Sequence, residues 1–227
     1  MADADPELLS FEVSENASVS GLLQIPRQPA GVLVLAHGAG AGMSHKFMAA
    51  MATGLAARDI ATLRYQFLYM ERGSKRPDPP ALAHAAVRAA VAEAGRRLPR
   101  LPLFAGGKSF GGRMTSQAQA KAALPGIRGL VFVGFPLHPA GKPSQERAAH
   151  LQGVKIPMLF LQGTRDTLAA PDQIEPVCAA LGSRATLKSF RDADHSFHVP
   201  AKSGQTDAAV FDQLLDTIAG WMTDLSG

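Results

Sequence analysis

Six consecutive apolar residues, Gly31-Val-Leu-Val-Leu-Ala36, run directly into His37-Gly-Ala-Gly-Ala-Gly42. A strand with one solvated face alternates apolar and polar positions, whereas a strand with no polar position must be covered on both faces. Helices supply that cover when crossover connections join parallel strands. The run therefore predicts a central parallel strand in an α/β fold, ending in a glycine-rich loop at its C-terminal edge.

The rest of the chain repeats this cycle. Strands are expected over residues 11–15, 19–25, 60–67, 103–105, 129–135, 158–162 and 186–190, where apolar and β-branched residues cluster between turn formers. Helices are expected over 44–58, with Ser44 as cap and Phe47, Met51 and Leu55 as buried stripe, and over the alanine-rich 81–98. Further helices fit 114–124, a segment opened by Pro171, and 203–225, which carries Val210, Phe211, Leu214, Leu215, Ile218, Trp221, Met222 and Leu225 on one broad face. The fold class is α/β, a mainly parallel sheet with helices on both faces. In such sheets the loops leaving the C-terminal strand ends carry the chemistry.

Length and charge narrow the function classes. The 227 residues are read as one domain, 1–227, with 1–8 as a flexible leader. A net charge of +4 from scattered Lys and Arg lacks the basic stripe that nucleic acid requires. No apolar run is long enough to cross a bilayer, and the acidic start Met1-Ala-Asp-Ala-Asp-Pro-Glu7 does not resemble an export signal. A cytoplasmic location is expected. The single cysteine, Cys178, excludes an internal disulfide and sits among helix formers as a small buried apolar residue. No histidine pair at ligand spacing and no dinucleotide fingerprint is present, so no metal and no cofactor is expected.

The strongest motif is Gly107-Lys-Ser109-Phe-Gly111. The bare pattern is weak, since 14 serines and 22 glycines among 227 residues produce about 0.13 chance matches. Its setting between an apolar strand and a helix is what carries weight, because a sharp turn there lifts the serine hydroxyl above the sheet. Gly106-Gly-Lys-Ser also resembles part of a phosphate-binding loop, but position 102 is Pro where that loop requires Gly.

A serine hydroxyl needs a base, and the base needs an orienting partner. His195 follows the last strand directly, in Asp192-Ala-Asp-His-Ser-Phe197, with His198 as competitor three residues on. Asp166 follows the strand 158–162 in Gly163-Thr-Arg-Asp166; Asp172 is better placed to serve a helix dipole and Asp194 to form a turn. His84 and His150 read as surface histidines. Oxyanion donors are expected from the backbone N–H of Phe110 and of Ala39, with Gly40 as the alternative to Ala39, and His37 reads as a structural residue of that loop. Lys108 and Arg113 read as a solvent-facing lysine and a helix-surface arginine; the other reading is attraction of an anionic substrate.

With these residues assembled, the chain resembles the α/β-hydrolase superfamily in the order and position of His37-Gly38, the Gly107–Gly111 motif, Gly163-x-x-Asp166 and Asp194-His195. Tyr69-Met-Glu-Arg72, Pro77-Asp-Pro79, Gly107-Lys-Ser-Phe-Gly-Gly-Arg113 and Gly134-Phe-Pro-Leu137 are similar to a short, uncapped, dienelactone-hydrolase-like branch of bacterial proteins without assigned activity. Animal relatives of that branch include a non-enzymatic subunit of a chromatin acetyltransferase complex. The resemblance implies an eight-stranded sheet whose second strand is antiparallel. It also implies a missing lid, since only about twenty residues, 136–157, separate the sixth and seventh strands, room for one short helix around 145–151. Tyr69, Met70 and Arg72 are candidate rim residues, Tyr69 and Met70 equally readable as loop anchors. The expected function is hydrolysis of a small-molecule carboxylic ester or thioester through Ser109, His195 and Asp166. The alternative is a non-catalytic interaction scaffold on the same fold.

Overall fold

The computed structural model describes residues 5–227. Its elements follow the chain as β1 (Glu7–Ser14), β2 (Ala17–Gln24), β3 (Gly31–Ala36), α1 (Lys46–Ala56), β4 (Ile60–Tyr65), α2 (Leu68–Glu71) and α3 (Pro80–Arg97). Then come β5 (Leu103–Lys108), α4 (Phe110–Lys121), β6 (Ile127–Val133), β7 (Met158–Gly163), α5 (Pro171–Leu181), β8 (Ala185–Phe190) and α6 (Asp207–Asp224). The strands form one eight-stranded sheet in the order β1-β2-β4-β3-β5-β6-β7-β8. β2 runs antiparallel to both neighbours, and every pairing from β4 to β8 is parallel. No helix among the described residues is long and apolar enough to cross a membrane.

Alternation along β3 shows why the sheet needs two helical layers. Val32, Val34 and Ala36 join one core cluster, while Leu33 and Leu35 join the other. The first core is closed by α3, α4 and α5, and the alanines of α3 (Ala83, Ala86, Ala90, Ala94) are buried in it. The second is closed by α1 and α6 through Met48, Met51, Leu55, Leu214, Leu215 and Ile218. A fully buried Leu or Val contributes about 1.5–3 kcal/mol by leaving water, so β3, buried throughout, is the strand on which both layers depend.

Several boundaries differ from expectation, each for a local reason. The leader is shorter, because β1 pairs Glu7 with Leu23 and buries Leu9 and Phe11; residues 1–4 lie outside the described residues. His45, not Ser44, caps α1, its Nδ1 accepting from Phe47 N–H at 3.2 Å. Phe47 is only partly buried, and Met48 takes the place expected for it in the core. α4 begins at Phe110, four residues before the expected start, because Gly111 and Gly112 weaken the helical signal that tertiary packing then overrides. α6 starts at Asp207, where the Thr206 hydroxyl accepts from Ala209 N–H at 3.1 Å.

The strand order reverses beside β3: β4 lies on one side and β5 on the other. Loops leaving β3 and β5 therefore diverge, and a crevice opens between them. The segment joining β6 to β7 adds only a 3₁₀ turn at Glu146–Gly153, so no cap domain covers the crevice.

Candidate active site

Ser109 stands at the crevice, between the last residue of β5 and the first of α4. Its backbone is left-handed, φ 50° and ψ −113°, a conformation costly for a residue with a side chain. The turn is held because Ser109 N–H donates to Val133 O at 3.0 Å. It is also crowded: a Cβ at Gly107 would lie 2.3 Å from Ala36 O, and one at Gly111 2.5 Å from the same oxygen. Only glycine lets β5 and α4 approach β3 this closely.

The loop after β8 brings His195 to this serine, with Nε2 2.9 Å from Ser109 Oγ and Nδ1 2.7 Å from Asp166 Oδ2. Because Asp166 accepts, Nδ1 carries the proton and Nε2 is left to receive the serine's. Asp166 is almost fully buried, and two further donors hold its carboxylate. Gln162 Nε2 donates to Oδ2 at 2.6 Å and Leu168 N–H to Oδ1 at 2.9 Å. Gln162 in turn accepts from Phe135 N–H at 3.0 Å, tying the carboxylate to the β6–β7 edge. Its signal in the sequence is a single polar residue at the end of an otherwise apolar strand.

The competing residues lie elsewhere. His198 points to Asp207, Nδ1 to Oδ2 at 2.8 Å, and its pKa is raised by that carboxylate. Asp194 closes the loop by accepting from Ser196 and His198 N–H, the turn role expected of it. Asp172 sits in the first turn of α5.

Among the described residues no hydrogen bond uses the N–H groups of Ala39 or Phe110. Gly40, the alternative to Ala39, is already committed, donating to the Tyr69 hydroxyl at 3.0 Å. Tyr69 is consequently not a rim residue; it is fully buried beneath the β3 loop. Its own N–H donates to Asp78 Oδ2 at 2.8 Å, and Asp78 Oδ1 pairs with Arg72, whose side chain is otherwise mostly exposed. Met70 packs against the core edge, with its Cε near Gly42. Pro77, Asp78 and Pro80 form the actual rim on this side. His37 is buried and structural: Nδ1 donates to Gly38 O at 2.8 Å, and Nε2 accepts from Phe67 N–H at 3.2 Å. Burial pushes its pKa down to about 4.

Three other expectations are corrected. Lys108 does not face solvent: its Nζ donates to the His195 carbonyl at 2.5 Å and lies 5.5 Å from the centre of the Phe197 ring. Burial lowers its pKa to about 8, against the opposing influence of Asp166 and Asp194. Arg113 is half-buried on the cleft wall, not on the helix surface, because α4 turns this face toward the β6–β7 connection. His150 is not a surface histidine either, with Nε2 2.7 Å from the buried Ser116 Oγ.

Two lobes flank Ser109. The larger, about 950 Å³, is lined by Phe47, Phe197 and Phe211 together with Lys46, Lys108, His198 and Asp207, with His195 at its inner end. The smaller, about 450 Å³, is lined by Phe110, Met114, Arg113, His138 and Arg147.

The family described as alpha/beta hydrolase domain matches residues 29–223. The chain belongs to that family. Solved structures agree with this α/β hydrolase in fold. A dienelactone hydrolase from Anabaena variabilis superposes with a TM-score of 0.76 at 21% identity, over 97% of this chain and 99% of that one. The esterase domain of a Rhodothermus marinus protein gives 0.73 at 15%, covering 99% and 100%. XC6422 from Xanthomonas campestris, described as an α/β serine hydrolase without lid, gives 0.70 at 19%, covering 98% and 94%. The α/β hydrolase domain here is likewise uncapped, and its Ser109–His195–Asp166 chain lies at the C-terminal strand edge.

Proposed function

We propose that the protein is a serine hydrolase that cleaves carboxylic esters or thioesters of small acyl groups. The observation that carries this is the unbroken chain of hydrogen bonds from Ser109 through His195 to Asp166, on a strained turn beside two uncommitted N–H groups. Ser109 Oγ attacks the acyl carbon while His195 Nε2 takes its proton. The N–H groups of Ala39 and Phe110 receive the developing oxyanion, each such donor being worth about 10²–10³ in rate. His195 then returns the proton to the departing alcohol or thiol, and water releases the acyl group by the same steps in reverse. Asp166 keeps the imidazole in the required tautomer.

Support for a short acyl group comes from the uncapped cleft, which buries little of a long chain. The test is labelling with a fluorophosphonate followed by a panel of 4-nitrophenyl esters of increasing length. Labelling confined to Ser109, with acetyl or butyryl esters turned over faster than dodecanoyl esters, is the expected result. A folded protein that refuses the probe argues instead for an interaction scaffold on a hydrolase fold.

A further inference from the structure

Arg113 and Arg147 share the wall of the smaller lobe. Among the described residues neither guanidinium has a hydrogen-bonded or ion-paired acid, and Arg113 Nε is shielded from solvent with no partner at all. The Arg113 guanidinium lies over the face of Phe110, 5.8 Å from the ring centre, within electrostatic reach of Arg147, His84 and His150, none of which is an acid. Other polar groups of the lobe are committed. Asp78 serves Tyr69 and Arg72, and the ring nitrogens of His138 lie against Pro139 O and Gln173 Oε1. Two like charges held together and partly out of water are unfavourable unless an anion joins them. Burial lowers the pKa of both, and Arg147 lowers that of Arg113 further.

The two ends of a substrate can be assigned to the lobes by the proton's route. His195 must reach the leaving oxygen to return the proton, and His195 lines the larger lobe but not the smaller one. The leaving group therefore belongs with Phe47, Phe197 and Phe211, and the acyl group with the arginines. Arg113 stands one helical turn beyond the nucleophile, its N–H donating to Ser109 O at 3.1 Å. Ser109, Arg113 and Arg147 line the same lobe, so an acyl chain attached to Ser109 and lying in that lobe runs along the wall that carries the guanidinium groups.

We propose that the substrate is a monoester or monothioester of a short dicarboxylic acid, its free carboxylate held by Arg113 and Arg147 and its leaving group in the larger lobe. This rests on the ester-hydrolase reading above and names its substrate class. Arginine suits the task because its planar fork can present two N–H groups to one carboxylate. In the reaction the acyl carbon–oxygen (or –sulfur) bond breaks as the bond to Ser109 Oγ forms, and the serine proton leaves on the alcohol or thiol. Water then supplies hydroxyl to the acyl carbon and a proton to Ser109, so the products are a dicarboxylate and an alcohol or thiol.

The experiment compares kcat/KM for 4-nitrophenyl hemiglutarate and 4-nitrophenyl butyrate in the wild type, R113Q, R147Q and the exposed control R100Q. The wild type is expected to favour the hemiglutarate by about tenfold or more, with the preference weakening as salt is added. R113Q and R147Q each lower the hemiglutarate-to-butyrate ratio by about tenfold, and R100Q leaves it unchanged. Equal use of both esters, or a ratio that survives both substitutions, overturns the inference while the hydrolase reading stands. If neither ester is cleaved, the hydrolase reading fails, and calorimetric titration with glutarate decides the pocket separately. Binding that R147Q weakens by about tenfold supports the arginine site; no binding, or binding indifferent to R147Q, overturns it.

Discussion

Two serines seven residues apart on the same stretch of chain are each hydrogen-bonded to a histidine, and the two pairs place their protons differently. Ser109 Oγ is 2.9 Å from His195 Nε2, and Ser116 Oγ is 2.7 Å from His150 Nε2. The shorter pair is the one whose serine is hidden inside the fold. Ser116 lies inside α4, fully buried, and its hydroxyl donates to Arg113 O at 2.9 Å. With that proton committed, His150 Nε2 is the donor and cannot act as a base. No carboxylate among the described residues orients His150, and burial holds its pKa down to about 4, so the ring stays neutral. Ser109 differs in each respect: a turn of positive φ presents it to the cleft, its partner His195 is hydrogen-bonded to Asp166, and the unpaired N–H groups of Ala39 and Phe110 stand beside it. Proximity of serine to histidine is therefore insufficient. What matters is the direction of the hydrogen bonds and the access of a substrate.

The comparison is broken most directly at the nucleophile. Ser109→Ala is expected to abolish fluorophosphonate labelling and to lower ester turnover by about 10⁵-fold or more. Ser116→Ala should leave the label in place, as peptide mass mapping will show. Modification found on Ser116 in the wild type would overturn the contrast.

The orienting acid is the next largest effect. Asp166→Asn and His195→Ala should each reduce kcat by about 10³-fold or more, since base and orienter act as one unit with the serine. His198→Ala and Asp172→Asn should stay within about tenfold. Four purified variants assayed on one short ester, with folding checked by circular dichroism, settle which histidine is the base.

Acid stability sharpens the same contrast from the structural side. His37 is fully buried and its folded pKa lies near 4, below the ordinary 6.5. A depressed histidine contributes stability that is complete above pH 6.5 and is lost as pH falls toward 4, where the unfolded chain binds the extra proton. The loss for His37 amounts to about 3 kcal/mol. His150 shifts in the same direction with a smaller effect, because solvent reaches it. Urea unfolding of the wild type, His37→Gln and His150→Gln between pH 7 and 4 should give a shallower acid slope for each variant, most clearly for His37→Gln. Slopes identical to the wild type would show that neither ring is held neutral by the fold.

The smallest expected change tests the loop that carries Ala39. Removing the hydroxyl that Gly40 donates to, by Tyr69→Phe, should lower kcat by about tenfold with KM for a short ester nearly unchanged, since the loss falls on transition-state geometry. A change confined to KM would place Tyr69 in substrate binding instead.

What the residues determined by themselves is local. A run without polar positions specified a doubly covered strand at β3, and glycines around Ser109 specified a turn that only glycine permits. The sequence could place Ser109, Asp166 and His195 near one another because each lies within five residues after a strand end, and strand ends in a parallel sheet converge at one edge. Tertiary structure alone decided the rest. Gly40 was removed from the oxyanion donors by a tyrosine twenty-nine positions away, and Tyr69 was removed from the rim by the same bond. Lys108 looked solvated until the β8 loop placed the His195 carbonyl over it, across a separation of 87 residues. Arg113 looked like helix surface until Arg147, carried on a different connection, completed a basic wall. Backbone preference and periodicity act over a few residues and leave a trace in the sequence. The satisfaction of a buried polar group depends on whichever distant atom the fold brings within about 3 Å, and no local pattern encodes that.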